Sequence, residues 1–107
     1  GLKVKNLTKP FLIIQKHIFV YGKVQGVGYR HWLKSFANDF QVVGWVKNNA
    51  SGEVEAMLIG QEEIVTNLIE QCYMGPPESK VIKIIVNNTL KQKELHDLRS
   101  FEIFMDN

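Results

Sequence analysis

The apolar residues of the chain form short alternating runs and two longer stretches with a helical period. From Tyr29 to Phe40, and again from Gln61 to Tyr73, apolar residues recur three and four positions apart, which predicts two amphipathic helices. Between and around them, runs rich in Val, Ile and aromatic residues predict strands. The predicted strands are His17–Lys23, Gln41–Lys47, Glu53–Ile59, Val81–Val86 and a short closing run, Phe101–Met105.

The order of these elements is β-α-β-β-α-β followed by one short strand. Connections of this kind predict an α+β fold, the ferredoxin-like sandwich, in which two helices cover one face of an antiparallel sheet. Right-handed crossovers would place the first and third strands in the middle of that sheet. The polar stretch from Asn87 to Ser100 is expected to be a connecting loop. Because this fold carries many unrelated functions, it does not decide the activity.

Residues 1–15 differ from the rest of the chain because they sustain no period and contain Pro10 and scattered lysines. We expect a mobile N-terminal extension there, with a basic arm for a partner as the alternative. Residues 16–107 are expected to form one domain.

Composition narrows the classes of function. The 107 residues are 45% hydrophobic and 22% charged, which is typical of a soluble globular domain. A net charge of +2 is too small to indicate a nucleic-acid partner, and no apolar run approaches the ~20 residues that a membrane helix needs. Cys72 is the single cysteine, so no internal disulfide can form. We therefore expect a cytoplasmic monomer without nucleic-acid or membrane partners.

The loop between the first strand and the first helix is a candidate anion site. Gly26 and Gly28 allow its backbone to point several N–H groups toward one place, next to the positive end of the helix dipole. Arg30 lies in the first helical turn, where a cation is unfavourable unless an anion is bound. The alternative is a tight turn beside a solvated arginine, which a glycine-bearing loop alone would favour. With Arg30 at the start of the helix, both interpretations stay open.

Other polar residues have weaker support. Asn48 ends the second strand and could hold a water at the mouth of the same loop, although a turn residue is the simpler interpretation. His31 could be a general base, but a histidine on the helix surface is favoured. Cys72 lies on the apolar stripe of the second helix, which favours a core residue over a nucleophile. His17 and His96 have no ligand-type neighbours at metal-binding spacing, so we expect no metal and no cofactor.

Two segments together resemble a known family. The sequence YGKVQGVGYR at residues 21–30 resembles the first signature of the acylphosphatases, and GWVKN at 44–48, followed by SGEVE at 51–55, resembles the second. Gly75-Pro76-Pro77 and the closing Phe101-Glu102-Ile103 are similar to later landmarks of the family. The resemblance extends over about residues 16 to 105.

The resemblance implies hydrolysis of a small acyl phosphate to a carboxylate and inorganic phosphate, without a metal. It implies that Arg30 binds the phosphoryl group together with the loop amides, and that Asn48 orients the water for in-line attack. Gly28 stands where the family often has cysteine or another small residue, and Tyr29 where phenylalanine is commoner. A module that binds phosphate or an acyl phosphate without turnover is the alternative. The implied phosphate-binding loop consists of Gly22, Lys23, Val24, Gln25, Gly26, Val27, Gly28, Tyr29 and Arg30.

Overall fold

The computed structural model describes residues 12–88 and 100–104. Five strands and two helices lie in these ranges, in the order that the apolar pattern predicts. Most of the expected N-terminal extension and most of the loop after the fourth long strand fall outside the described residues. The elements are β1 (Ile13–Lys23), α1 (Tyr29–Asp39), β2 (Val43–Asn48), β3 (Val54–Gln61), α2 (Glu62–Cys72), β4 (Lys80–Asn88) and β5 (Phe101–Ile103).

The strands form one sheet in the order β4-β1-β3-β2-β5, so β1 and β3 are central as predicted. β1 pairs antiparallel with both β3 and β4, and β2 pairs antiparallel with β3. β5 pairs parallel with β2, so the prediction of a wholly antiparallel sheet was wrong for this pair. β4 runs antiparallel to β2, and β5 runs antiparallel to β4, so β5 and β2 point the same way.

Two strands are longer than the sequence pattern indicated. β1 begins at Ile13 rather than at His17, because β3 continues to Gln61 and gives Ile13 and Ile14 partners in the ladder. Residues 13–15 therefore belong to the sheet and not to the N-terminal extension. β4 continues through Asn88 against Lys16, so the first two residues of the predicted 87–100 loop are strand as well.

The core lies between the sheet and the two helices. Ile18 and Val20 of β1 are fully buried, as are Leu33 of α1 and Leu68 of α2, and Phe101 of β5. Burying each such side chain contributes on the order of 1.5–3 kcal/mol. These residues come from β1 and β5 of the sheet and from both helices. Because β1 and α1 each contribute to the core, the loop that joins them is fixed at both ends.

A buried hydrogen bond links the start of α1 to the end of α2. The Tyr29 hydroxyl donates to the backbone carbonyl of Cys72 at 2.6 Å, which satisfies an acceptor that a helix end leaves without an intrahelical partner. Burial raises the pKa of the Tyr29 phenol far above its ordinary value and raises the pKa of the Cys72 thiol to about 12. Cys72 is fully buried and protonated, which confirms the predicted core role.

Candidate active site

The β1–α1 loop and the end of β2 enclose one small cavity. Its volume is about 80 Å³, room for roughly two to three waters at liquid density. Arg30 and Asn48, the two residues singled out from separate parts of the sequence, both line it. His31 also reaches its rim, although that side chain is exposed. The lining consists of Val24, Gly26, Gly28, Tyr29, Arg30, His31 and Asn48.

The N-terminus of α1 opens toward this cavity. Gly28 is the N-cap residue, with φ 81° and ψ 18°. This left-handed conformation is unfavourable for residues with a side chain, but glycine adopts it readily. The first helical hydrogen bond runs from the Trp32 N–H to the Gly28 carbonyl at 3.0 Å, so earlier amides lack intrahelical acceptors. No side chain caps this end, and no acidic residue lies in the first turn. The helix end therefore offers donors and positive potential to an anion.

Four members of the implied phosphate-binding loop do not line the cavity. Gly22 and Lys23 belong to β1 and pair with Val81 and Lys80. Gly22 has φ 130°, and a Cβ there would lie 2.1 Å from the Lys80 carbonyl oxygen, so only glycine fits this irregular point of the ladder. The Val27 side chain packs against the core.

The fourth member, Gln25, turns its side chain to the β2–β3 hairpin. Its amide nitrogen donates to the backbone carbonyls of Asn49 at 2.8 Å and Glu53 at 3.0 Å. Sequence reasoning did not find this contact, since no local pattern links a loop glutamine to a hairpin more than twenty residues away.

Asn48 combines a rigid backbone with an unused acceptor. It is the last residue of β2 and pairs with Val54 in the ladder. Its Oδ1 is shielded from bulk solvent and has no hydrogen-bond partner among the described residues. A buried amide oxygen without a partner is costly, on the order of 1–3 kcal/mol, unless a water or ligand supplies a donor. Asn48 therefore combines a place in the cavity lining with an acceptor that the described residues leave unused.

The next residue, Asn49, uses the hydrogens of its side-chain amide within the protein. Its Nδ2 donates to Glu53 Oε2 and to Glu55 Oε1, each at 3.0 Å. The second oxygen of Glu55 lies 2.6 Å from Nε2 of His17 on β1. The Ser51 hydroxyl and then the Asn49 amide donate to Glu53 and hold the pKa of that carboxyl below its ordinary value. None of these side chains lines the cavity.

The structure also bears on metals and membranes. Within residues 12–88 and 100–104, no three His, Cys, Asp or Glu side chains are grouped so that they could hold a metal ion. No helix in the same ranges has the length and apolarity that a membrane crossing requires.

Comparison with known proteins agrees with the fold and identifies the family. The acylphosphatase family model matches residues 16–103. The chain is 37% identical over 98 residues to an acylphosphatase from Nostoc sp., a match that covers 92% of this chain and 93% of the relative. It is 42% identical to an acylphosphatase from Acaryochloris marina, covering 88% of this chain and 96% of the relative. The crystal structure of acylphosphatase from Bacillus subtilis superposes with a TM-score of 0.79 at 34% identity, covering 87% of this chain and 99% of that one.

The described residues thus form an α+β ferredoxin-like sandwich with a small cavity at the N-terminus of α1. The chain belongs to the acylphosphatase family. It is an enzyme of that class, whose substrates are acyl phosphates and whose product is inorganic phosphate.

Proposed function

We propose that this enzyme hydrolyses small acyl phosphates by in-line attack of a water that Asn48 orients, while Arg30 and the loop amides hold the phosphoryl group. The observation that carries the proposal is that Asn48 lines the same cavity as Arg30, while its buried Oδ1 has no partner among the described residues. An acceptor and a cation at one helix N-terminus suit a water and a phosphoryl anion, respectively.

The phosphoryl group would lie at the end of α1. There the unbonded first-turn amides and the Arg30 guanidinium would share its three equatorial oxygens. These donors are fixed before the substrate arrives, so they stabilise the charge of the transition state without reorganisation. The cost of placing Arg30 in the first turn of a helix is reversed once the anion is bound.

The attacking water would donate one hydrogen to Asn48 Oδ1 and direct a lone pair at phosphorus. The bond between phosphorus and the acyl oxygen then breaks, and its electron pair leaves on the carboxylate, which needs no general acid. A neutral amide cannot take the water's proton at neutral pH, so a phosphoryl oxygen of the substrate takes it. In this mechanism Asn48 lowers the barrier by positioning, which can be worth several kcal/mol.

The small size of the cavity supports substrates that are recognised mainly through their phosphoryl group. A volume of about 80 Å³ accommodates a phosphoryl group and little else, so the acyl part would extend toward solvent. We propose weak selectivity for the acyl group and no requirement for a metal. We also propose that the enzyme is a monomer and that it is cytoplasmic, the latter supported by its single buried cysteine.

The test is hydrolysis of benzoyl phosphate in the presence of a chelator. We expect the wild type to turn over and Arg30→Gln to lose most of its activity, by about 10³-fold or more, because a charge-assisted contact to the phosphoryl group is removed. The matched control is Lys34→Gln, which removes a cation from the same helix outside the cavity lining.

Three outcomes would contradict the proposal. One is activity that the chelator abolishes, and another is an Arg30→Gln variant that keeps its turnover with an intact fold by circular dichroism. The third is a wild type that binds inorganic phosphate but hydrolyses nothing, which would favour the binding module. A bell-shaped pH profile that disappears in His31→Ala would instead make His31 the base.

A further inference from the structure

Gln25 bridges the two halves of the site. Its side-chain nitrogen lies within hydrogen-bond distance of two backbone carbonyls of the β2–β3 hairpin, those of Asn49 and Glu53. Both acceptors are carbonyl oxygens, so the group facing them must be the amide NH₂; the flipped amide would set an oxygen against two oxygens. Each amide proton thus has an acceptor. We call these two contacts the Gln25 bridge.

The two carbonyls belong to the segment that fixes Asn48. The Asn49 carbonyl also accepts the Gly52 N–H at 3.0 Å, and the Glu53 carbonyl accepts the Asn49 N–H at 2.9 Å. The bridge therefore ties the loop to the base of the hairpin, one residue beyond Asn48. A displacement of the Asn49 carbonyl moves its chain neighbour Asn48 with it.

We infer that Gln25 is a positioning residue that sets the distance between the phosphoryl-binding loop and the water held by Asn48. The inference rests on the proposed function, since it concerns how that site is aligned. The loop and Asn48 reach the cavity from different elements, α1 with its preceding turn on one side and β2 on the other. The two hydrogen bonds of the Gln25 bridge link the turn before α1 directly to the β2–β3 hairpin.

This role predicts a specific kinetic change. A misplacement of about 1 Å between nucleophile and substrate can lower a rate about 100-fold, while binding of the phosphoryl group alone need not change. Gln25→Met keeps the length of the side chain and removes both donors. We expect its kcat to fall about 10- to 100-fold while inhibition by inorganic phosphate stays within about twofold of the wild type.

Two further variants separate positioning from general loosening. Gln25→Glu preserves shape but sets a carboxylate against both carbonyls, so we expect a loss of kcat at least as large. Gln71→Met makes the same Gln-to-Met change at an exposed position of α2 and should leave kcat and phosphate inhibition unchanged. Circular dichroism and thermal melting establish that each variant is folded.

The decisive readout is a double-mutant cycle with Asn48→Ala. If Gln25 acts through Asn48, then Gln25→Met should lower kcat by less than about twofold once Asn48 is already alanine. An equal loss in both backgrounds would overturn the inference, as would unchanged kcat in Gln25→Met or weakened phosphate inhibition that accounts for the whole effect.

The outcome also separates this inference from the proposed function. If the wild type is active and Asn48→Ala is impaired but Gln25→Met and Gln25→Glu behave as the wild type, only the role of Gln25 is wrong. If the wild type hydrolyses no acyl phosphate, the proposed function itself fails. In that case a change of the Asn48 side-chain amide signals in the NMR spectrum of Gln25→Met would still report the structural coupling, and unchanged signals would refute it.

Discussion

Two adjacent asparagines at the end of β2 have the same chemistry and opposite surroundings. Asn48 lines the cavity beside Arg30 and leaves its Oδ1 without a partner among the described residues. Asn49 donates from its Nδ2 to two carboxylates, one of which also contacts His17 on the far side of β3. Alternation along a strand sends consecutive side chains to opposite faces of a sheet, so one step along the chain separates the two settings.

The difference distinguishes polar groups that stabilise the fold from polar groups that remain available for a ligand. The Asn49 Nδ2 group donates both of its hydrogens within the protein, so it could donate to a substrate only by breaking those bonds. The Asn48 oxygen is shielded and unsatisfied, which is tolerable only if a donor such as water occupies the cavity. The same distinction applies at Tyr29, a residue of the cavity lining whose hydroxyl already donates to the backbone carbonyl of Cys72.

Of the changes that test this contrast, Asn48→Ala is expected to have the largest effect. Removing the amide should lower kcat by about 10²–10³-fold, since the attacking water loses its orienting acceptor. Inhibition by inorganic phosphate should change little, because Arg30 and the loop amides remain. Steady-state kinetics with phosphate as a competitive inhibitor measures both quantities. Weakened phosphate inhibition with unchanged turnover would contradict the water-orienting role.

Asn49→Ala should produce the opposite result. We expect kcat to stay near that of the wild type, while the free energy of unfolding falls by about 1–2 kcal/mol because two hydrogen bonds to carboxylates are lost. Urea denaturation measures the change in stability. The contrast between the two asparagines breaks down if this variant is as inactive as Asn48→Ala while it remains folded.

Tyr29→Phe examines a satisfied polar group inside the site itself. The ring stays in the core, but the Cys72 carbonyl loses its donor, which should lower stability by about 1 kcal/mol. Turnover should be close to that of the wild type. Thermal unfolding and benzoyl phosphate kinetics provide the two readouts, and a large kinetic loss without a loss of stability would assign the hydroxyl to catalysis.

The smallest effect is expected for Ser51→Ala. Hydrogen bonds from Ser51 and then Asn49 lower the pKa of Glu53 in the folded state. A lowered folded-state pKa stabilises the fold above the unfolded pKa, and that contribution is lost as pH falls through the folded value. Ser51→Ala should raise the Glu53 pKa toward its ordinary value and weaken this acid-side dependence. A side-chain carboxyl titration by NMR measures it; an unchanged pKa would show that Ser51 does not act on Glu53.

Sequence patterns were sufficient for most of the topology, and they singled out Arg30 and Asn48, which the structure brings to one cavity. The topology follows from local periodicity and the order of elements, and the two residues stand in segments that resemble the family signatures. The direction of β5 was predicted wrongly because no local pattern encodes how a strand is oriented relative to a partner that is distant in sequence. The start of β1 at Ile13 depends on the length of its partner β3, a property of pairing and not of the segment itself.

Two parts of the site could not be derived from the sequence at all. The Gln25 bridge joins a loop to a hairpin through backbone carbonyls. Because every residue has a backbone carbonyl, the residue types at these positions do not indicate the contact. The contrast between Asn48 and Asn49 depends on which face of β2 each side chain takes, and the turn-rich sequence at 48–52 suits either register. Gly28 was a departure from the family pattern that the fold explains, since its φ of 81° suits glycine.

The measurement that tests the central claim most directly is hydrolysis of benzoyl phosphate in water enriched in ¹⁸O, with a chelator present. If the water held at Asn48 attacks phosphorus, the bond between phosphorus and the acyl oxygen breaks and the ¹⁸O appears in inorganic phosphate. Mass spectrometry of the two products should then find the label in phosphate and none in benzoate. Label in benzoate would mean attack at the acyl carbon, which would contradict the assignment of Arg30 and Asn48 to phosphoryl transfer.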